Sequence, residues 1–177
     1  MIEYPIIAVI GARGHGKSLL MTKFAKDYHL LGTTIFANYH LYDIPFTYIT
    51  LEQVAQFPQE LHDCVLFLDE MQEGVDSYEI FNKRSSKLNK LFTQLRKRHI
   101  TLIWATQNWK QIAPRLRRQS NFAKILERKS EFPKGVAIVY THRCEGGMIE
   151  WNPIKKELFD GRPYFNNYNT DEVIHAE

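Results

Sequence analysis

Eight residues near the N-terminus, Gly11-Ala12-Arg13-Gly14-His15-Gly16-Lys17-Ser18, fit the pattern G-x-x-x-x-G-K-[ST] without a mismatch. The glycines let the backbone curl so that successive N–H groups point inward, a concave row of donors suited to the β- and γ-oxygens of a nucleoside triphosphate. In this pattern Lys17 reaches the β/γ-phosphates and Ser18 offers its hydroxyl to Mg²⁺. Gly11 to Ser18, with Leu19 opening the segment that follows, are therefore the expected nucleotide-binding residues. Arg13 and His15 fill variable positions, where nucleotide, a neighbouring subunit and plain solvent are all open as partners.

A second cluster closes the run Leu66-Phe67-Leu68-Asp69-Glu70, apolar residues leading into two acids, the form of a Walker B element. Asp69 is expected to hold Mg²⁺ through a water, and Glu70 to polarise a water for in-line attack on the γ-phosphate, which is chemistry for hydrolysis more than for slow switching. Either acid alone reads equally as a helix cap or a solvated loop residue; the phosphate loop gives the pair its meaning. Gln107 follows the apolar run Ile100 to Ala105, and its amide is suited to sensing the γ-phosphate and orienting the attacking water. Thr106 and Asn108 are less well placed for that task, and a polar residue merely ending a strand is the plainer alternative.

Such groups need rigid positions, and the surrounding sequence supplies alternating short strands and helices. Ile6 to Ile10 and Cys64 to Leu68 are wholly apolar and β-rich, the pattern of strands covered on both faces in a parallel sheet. From Lys17 to Leu31 the apolar residues Leu19, Leu20, Phe24 and Leu30 recur near helical spacing, and Gly32 supplies a stop. Thr33 to Ala37 reads as a second strand, Phe46 to Ile49 as a weaker one, and Leu51 to Phe57 as a short helix ended by Pro58. Between Ser86 and Arg98, Leu88, Leu91, Phe92 and Leu95 form one apolar stripe on a basic helix. Ile112 to Gln119 reads as a helix interrupted near its start by Pro114. Phe122 to Leu126 and Gly135 to Thr141 read as strands, the second antiparallel after the turn Phe132-Pro133-Lys134-Gly135.

The expected fold is α/β, a mostly parallel sheet with helices on both faces plus a C-terminal β-hairpin, forming one domain over residues 1–159. Residues 160–177, rich in Asn and Tyr without a period, are expected to be an arm or tail. In such sheets ligands bind at the C-terminal ends of the strands, where Gly11 to Ser18, Asp69-Glu70 and Thr106-Gln107 all fall.

With 177 residues, 44% of them hydrophobic, the chain suits one well-filled core and not a disordered segment. No apolar run approaches the roughly 20 residues of a spanning helix. Glu3 stands where a secretory signal carries basic residues, so a cytoplasmic location is expected. Cys64 and Cys144 lack metal-ligand spacing and are expected to be reduced. The net charge of +3 hides an asymmetry: Lys83 to Lys129 holds fourteen Lys/Arg and one acid, Glu127, against nine basic and nineteen acidic residues elsewhere. That density suits a polyanion, although a set of solvated helix faces is the plainer reading.

The order GARGHGKS, LFLDE, a basic helix with LRKRH, LIWATQ and APRLRRQSN resembles the HerA/FtsK branch of P-loop ATPases over about residues 5–126. Within that branch it is similar to the genome-packaging ATPases of tailless icosahedral viruses with internal membranes, and to the ATPase domain of Zot-like filamentous phage assembly proteins. The resemblance implies a RecA/ASCE-like sheet with the ATQ strand inserted between the two motif strands. It implies ATP and Mg²⁺ as cofactors and a homo-oligomeric ring, pentamer or hexamer, that pulls double-stranded DNA of any sequence through a central pore. A capsid or membrane protein at a portal vertex is the implied docking partner, in the host cytoplasm or with the virion. The resemblance further implies an arginine just upstream of the ATQ strand that completes a neighbour's site. Arg96 and Arg98 occupy that place, Arg98 nearer the strand, and Arg115, Arg117 and Arg118 are second candidates or DNA-phosphate contacts.

Zot-like proteins continue into a membrane span and a further domain, which this sequence lacks, so packaging is the preferred expectation. Rival classes leave other marks: a GTP switch would carry an NKxD-type guanine reader, and a small-molecule kinase an Arg-rich lid. Neither is evident. An ATP-binding assembly scaffold, its basic segment holding capsid or lipid, fits the same motifs.

Overall fold

The computed structural model describes residues 2–70 and 85–168, and only the backbone of 85–90. Nine strands, β1 (Ile6–Ile10), β2 (Thr34–Ala37), β3 (Thr47–Tyr48), β4 (Cys64–Leu68), β5 (Ile100–Thr106), β6 (Phe122–Glu127), β7 (Val136–Glu145), β8 (Met148–Ile149) and β9 (Lys155–Asp160), join into one sheet. Their order is β3-β2-β4-β5-β1-β6-β7-β8, with β9 also on β7. β1 to β6 are parallel, whereas β7 is antiparallel to β6, and β8 and β9 are antiparallel to β7. This is the mostly parallel P-loop sheet expected, with β5 inserted between β1 and β4.

Every residue of β4 and β5 is buried, as continuous apolar runs require when both faces of a strand are covered. Helix α1 (Lys17–Leu30) covers one face, where Leu19, Leu20, Met21 and Ala25 share a core with Val9, Phe67 and Ile103. The other face is covered by α2 (Leu51–Gln56), α3 (Ser85–Lys97) and α4 (Pro114–Gln119). Val54, Leu91, Phe92, Leu95 and Leu116 pack there against Leu66, Leu102 and Trp104. Leu91, Phe92 and Leu95 thus bear out the apolar stripe, while the Leu88 side chain lies outside the described residues. α2 begins with a Thr50/Gln53 capping box and ends at Phe57, whose left-handed φ of 53° turns the chain just before Pro58.

Register levels the strand ends: Ile10 pairs with Thr106, and Leu68 with Trp104. The glycine loop, Thr106-Gln107 and Asp69-Glu70 therefore leave the sheet side by side.

The structure differs from the sequence reading in two places. Pro114 starts α4 instead of interrupting it, because a first-turn residue has no hydrogen bond for proline to break. Residues 160–168, expected to be tail, pack onto the domain, with Gly161, Asn167 and Tyr168 buried. β9 pairs with β7, and Phe159 and Tyr168 are buried beside α1. Gly135, at φ +88°, leaves so little room that a Cβ there would lie 2.6 Å from Phe165, while Gly161 N–H donates to Gly135 O at 2.7 Å. The sequence shows no period here because β9 buries one residue and the next turn is 3₁₀. Residues 169–177 of that expectation lie outside the described residues.

Among the described residues no helix is long and apolar enough to cross a membrane, and no three His, Cys, Asp or Glu side chains converge as a metal site. Cys64 and Cys144 are free thiols, pushed up to about 12 and about 11 chiefly by burial, so both stay protonated at neutral pH.

Trp104 ties the sheet to α4: its indole N–H donates to Ser120 Oγ at 3.2 Å, and Ser120 Oγ donates to Leu116 O at 2.9 Å. Trp104→Ala is expected to lower the unfolding free energy by about 3–5 kcal/mol in a denaturant titration.

Candidate active site

β1 hands the chain directly to the glycine loop. Gly11 N–H donates to Thr106 O at 3.3 Å, and His15 Nδ1 lies 3.3 Å from Leu126 O, so the loop is tied to β5 on one side and β6 on the other. Gly14 and Gly16 have φ of +77° and +92°, with open space where a Cβ would stand at Gly14. Backbone conformation, and not crowding, calls for glycine at both. Gly16 is the N-cap of α1 and supplies no side-chain cap, and the first turn carries no acid. That leaves the N-terminal partial charge of the helix for an anion. Lys17 is only 7% exposed, with Nζ donating to Ala12 O at 3.2 Å across the loop. Ala12, Arg13 and Gly14 are exposed. Leu19, expected among the nucleotide contacts, sends its side chain into the core and offers only its main chain.

The acidic strand end meets this loop from two strands away. Asp69, 9% exposed, accepts the Ser18 hydroxyl on Oδ2 at 2.5 Å and the Glu70 N–H on Oδ1 at 2.8 Å. Its main chain is clamped by Asn38, which accepts the Asp69 N–H at 2.7 Å and donates to Asp69 O at 3.2 Å. Asn38 belongs to no motif of the sequence. Its only signal is that it follows a strand, and its importance comes from β2 lying next to β4. Glu70 adopts φ +52°, a left-handed conformation uncommon for a side-chain-bearing residue and of the strained kind that gathers at active sites.

Gln107 stands half-buried where β5 ends, between the two motifs. The alternatives beside it have structural tasks. Thr106 Oγ1 bonds both the N–H and the carbonyl of Asn108, and Asn108 Oδ1 caps a 3₁₀ turn by accepting from Lys110 N at 3.0 Å.

The donor set fits a hard divalent ion. A serine hydroxyl and a carboxylate, both oxygen donors already in contact, lie beside a row of main-chain N–H groups that suits phosphate.

The arginines upstream of β5 sit at the opposite, N-terminal end of the sheet. Arg98 donates from Nη1 to Pro58 O at 2.8 Å and to Leu61 O at 3.4 Å, with its guanidinium 3.7 Å from the centre of the Phe57 ring. It fastens the α2 exit to α3 within its own chain. Arg96 is exposed and lines a shallow groove of about 510 Å³ with Ile2, Glu3, Tyr4 and His99. Arg115 and Arg118 are exposed on α4 and Arg117 is half-buried. Lys124 is also structural: it donates to Thr141 Oγ1 at 3.0 Å, and burial lowers its pKa. Among the described residues, the cations of the basic stretch therefore do not form one patch.

Glycine loop, acidic strand end and inserted central strand together define a P-loop ATPase domain. Residues 7–130 match the family model of the ATPase family associated with various cellular activities (AAA), and the chain belongs to that family. No sequence among curated proteins matches it. In fold it is similar to the N-terminal domain of zonular occludens toxin from Neisseria meningitidis, at TM-score 0.67 and 15% identity over 94% of this chain and 100% of that one. It is similar to B204, the DNA-packaging ATPase from Sulfolobus Turreted Icosahedral Virus, at TM-score 0.56 and 14% identity over 88% and 100% of the two chains. The genome packaging NTPase B204 from Sulfolobus turreted icosahedral virus 2 in complex with AMPPCP matches at TM-score 0.52 and 12% identity, over 85% and 97%. At such identities the likeness is one of fold.

Arg98→Ala is expected to lower thermal stability by about 1–3 kcal/mol through its two lost carbonyl bonds, and Arg96→Ala to change it by less than about 0.5 kcal/mol. Melting curves followed by circular dichroism distinguish the two.

Proposed function

We propose that this chain is a Mg²⁺-dependent ATPase of the HerA/FtsK branch that acts as a homo-oligomeric ring and drives double-stranded DNA into a viral capsid. The observation that carries the catalytic part is the Ser18–Asp69 hydrogen bond, which joins the phosphate loop to the acidic strand end with Glu70 next in the chain. The loop residues Gly11 to Ser18 bind the triphosphate, with Lys17 turning from Ala12 O to the β/γ-oxygens. Ser18, and Asp69 through a water, would hold the Mg²⁺, which would supply charge neutralisation to the phosphates. Glu70 accepts a proton from the water as its oxygen bonds to the γ-phosphorus, Gln107 orients that water, and the bond to the β–γ bridging oxygen breaks to leave ADP and phosphate.

The DNA part rests on likeness and charge. Two of the similar folds are described as genome-packaging enzymes, one of them bound to AMPPCP. Lys110, Arg128 and Lys129 are exposed close to the ends of β5 and β6, near the loop, and Arg115 and Arg118 are exposed on α4. They provide phosphate contacts blind to sequence, as a motor needs. Of the two arginines before β5, the exposed Arg96 is the one we assign to a neighbour's site. Action in the host cytoplasm or on the virion, docked on a capsid or membrane protein, follows from the same reading. A Zot-like role in filamentous phage assembly is the second reading, favoured by the TM-score of 0.67 to the zonular occludens toxin domain.

ATPase assays with and without duplex DNA test the proposal. Glu70→Gln is expected to keep ATP affinity within a few-fold while turnover falls about 10²-fold or more. Duplex DNA is expected to stimulate the wild type, with the stimulation fading steeply as salt rises. Wild-type turnover in Glu70→Gln would contradict the catalytic assignment, and indifference to DNA would favour the assembly scaffold.

A further inference from the structure

β9 lies on an edge of the sheet, and among the described residues β7 is its only partner strand. The opposite edge, β3, is two residues long and too short to invite a further strand, whereas β9 offers six. Register tells which of its main-chain groups face outward. Gly161 N–H donates to Gly135 O at 2.7 Å, one step beyond the pairing of Asp160 with Val136. Antiparallel bonding alternates, so Glu157 and Phe159 turn their N–H and C=O groups to β7, and Lys156, Leu158 and Asp160 turn theirs away from it. No turn, loop or cap bond among the described residues takes these outward groups.

Side chains alternate as well. Phe159 is buried in the core on the α1 face, which puts Lys156, Leu158 and Asp160 together on the other face. Leu158, in the middle, is 67% exposed. Lys156 Nζ lies 5.4 Å from the centre of the Tyr140 ring, and Asp160 is held in place by Arg162 Nε at 2.9 Å and Nη2 at 2.7 Å. A cation and an anion flanking one leucine at equal spacing make the strand complementary to itself.

We propose that this edge takes a second copy of the chain, the two β9 strands running antiparallel about a twofold axis at Leu158. That register sets Leu158 on its own symmetry mate and Lys156 opposite Asp160 of the second copy. The outward residues of the two strands then exchange about six main-chain hydrogen bonds. A slip of two residues either way loses a pair and sets a charged side chain against Leu158. Lysines on an edge ordinarily keep strands apart; here Lys156 turns away strands at large and accepts one that brings an acid to the same place. The contact is isologous and closes at two, so it joins two chains, or two rings, without using Arg96 or the nucleotide loop.

The test uses the full chain without nucleotide. Leu158→Lys places like charges on the twofold axis, and sedimentation velocity should show the mass of the assembly falling by half, with an unchanged circular dichroism spectrum. Under mild oxidation Leu158→Cys should form covalent dimers at least about tenfold faster than Leu30→Cys, an exposed position on α1, because Cα atoms of such a pair lie about 5.5 Å apart, within the span of a disulfide. The wild type, with only Cys64 and Cys144, gives the background. A wild-type monomer, an assembly mass unaltered in folded Leu158→Lys, or equal cross-linking rates at positions 158 and 30 would each overturn the proposal. Should Leu158→Lys fail to fold, the cross-linking rates decide.

Discussion

A hydroxyl and a carboxylate fifty-one positions apart in the chain, those of Ser18 and Asp69, meet at 2.5 Å, and the site exists because they do. Ser18 is fixed by its place in the first turn of α1 and Asp69 by Asn38, so the contact is made by the frame and not by local chain geometry. Anything that slid β4 against β5, or β5 against β1, by one residue would turn apolar side chains to the wrong face and separate the pair.

That frame is a buried sheet whose middle strand carries no chemistry until its last residues. β5 is buried along its length and fills the gap between β1 and β4, which sets the spacing between loop and acid and brings Gln107 out between them. Trp104, fully buried, links this strand through Ser120 to α4 on one face, while α1 closes the other. Rigidity at the strand ends lets a glycine loop and a strained Glu70 keep their conformations. The antiparallel strands β7 and β9 extend the sheet beyond β6, and Phe159 with the aromatic residues that follow β9 shares the core with α1.

The parts of this arrangement legible in the sequence are those whose residue types are dictated locally. Gly14 and Gly16 are demanded by backbone angles, and apolar runs announce buried strands. What depends on who lies beside whom was hidden. Asn38 matters because β2 pairs with β4. Arg98 looked available because chain distance to a strand does not tell which end of the sheet a residue occupies; in the fold it is bound by carbonyls and Phe57. The segment after β7 was unreadable for another reason: a strand with one buried residue and a 3₁₀ turn leave no period in the sequence, although their aromatics are buried.

Diffraction from crystals grown with Mn²⁺ and a nonhydrolysable ATP analogue, recorded for the anomalous signal of the metal, tests the central contact directly. The expected result is one metal peak at coordination distance from Ser18 Oγ, on the Asp69 side of a triphosphate seated in residues 11–18. A triphosphate bound elsewhere, or bound with no metal between an intact Ser18–Asp69 pair, would contradict it.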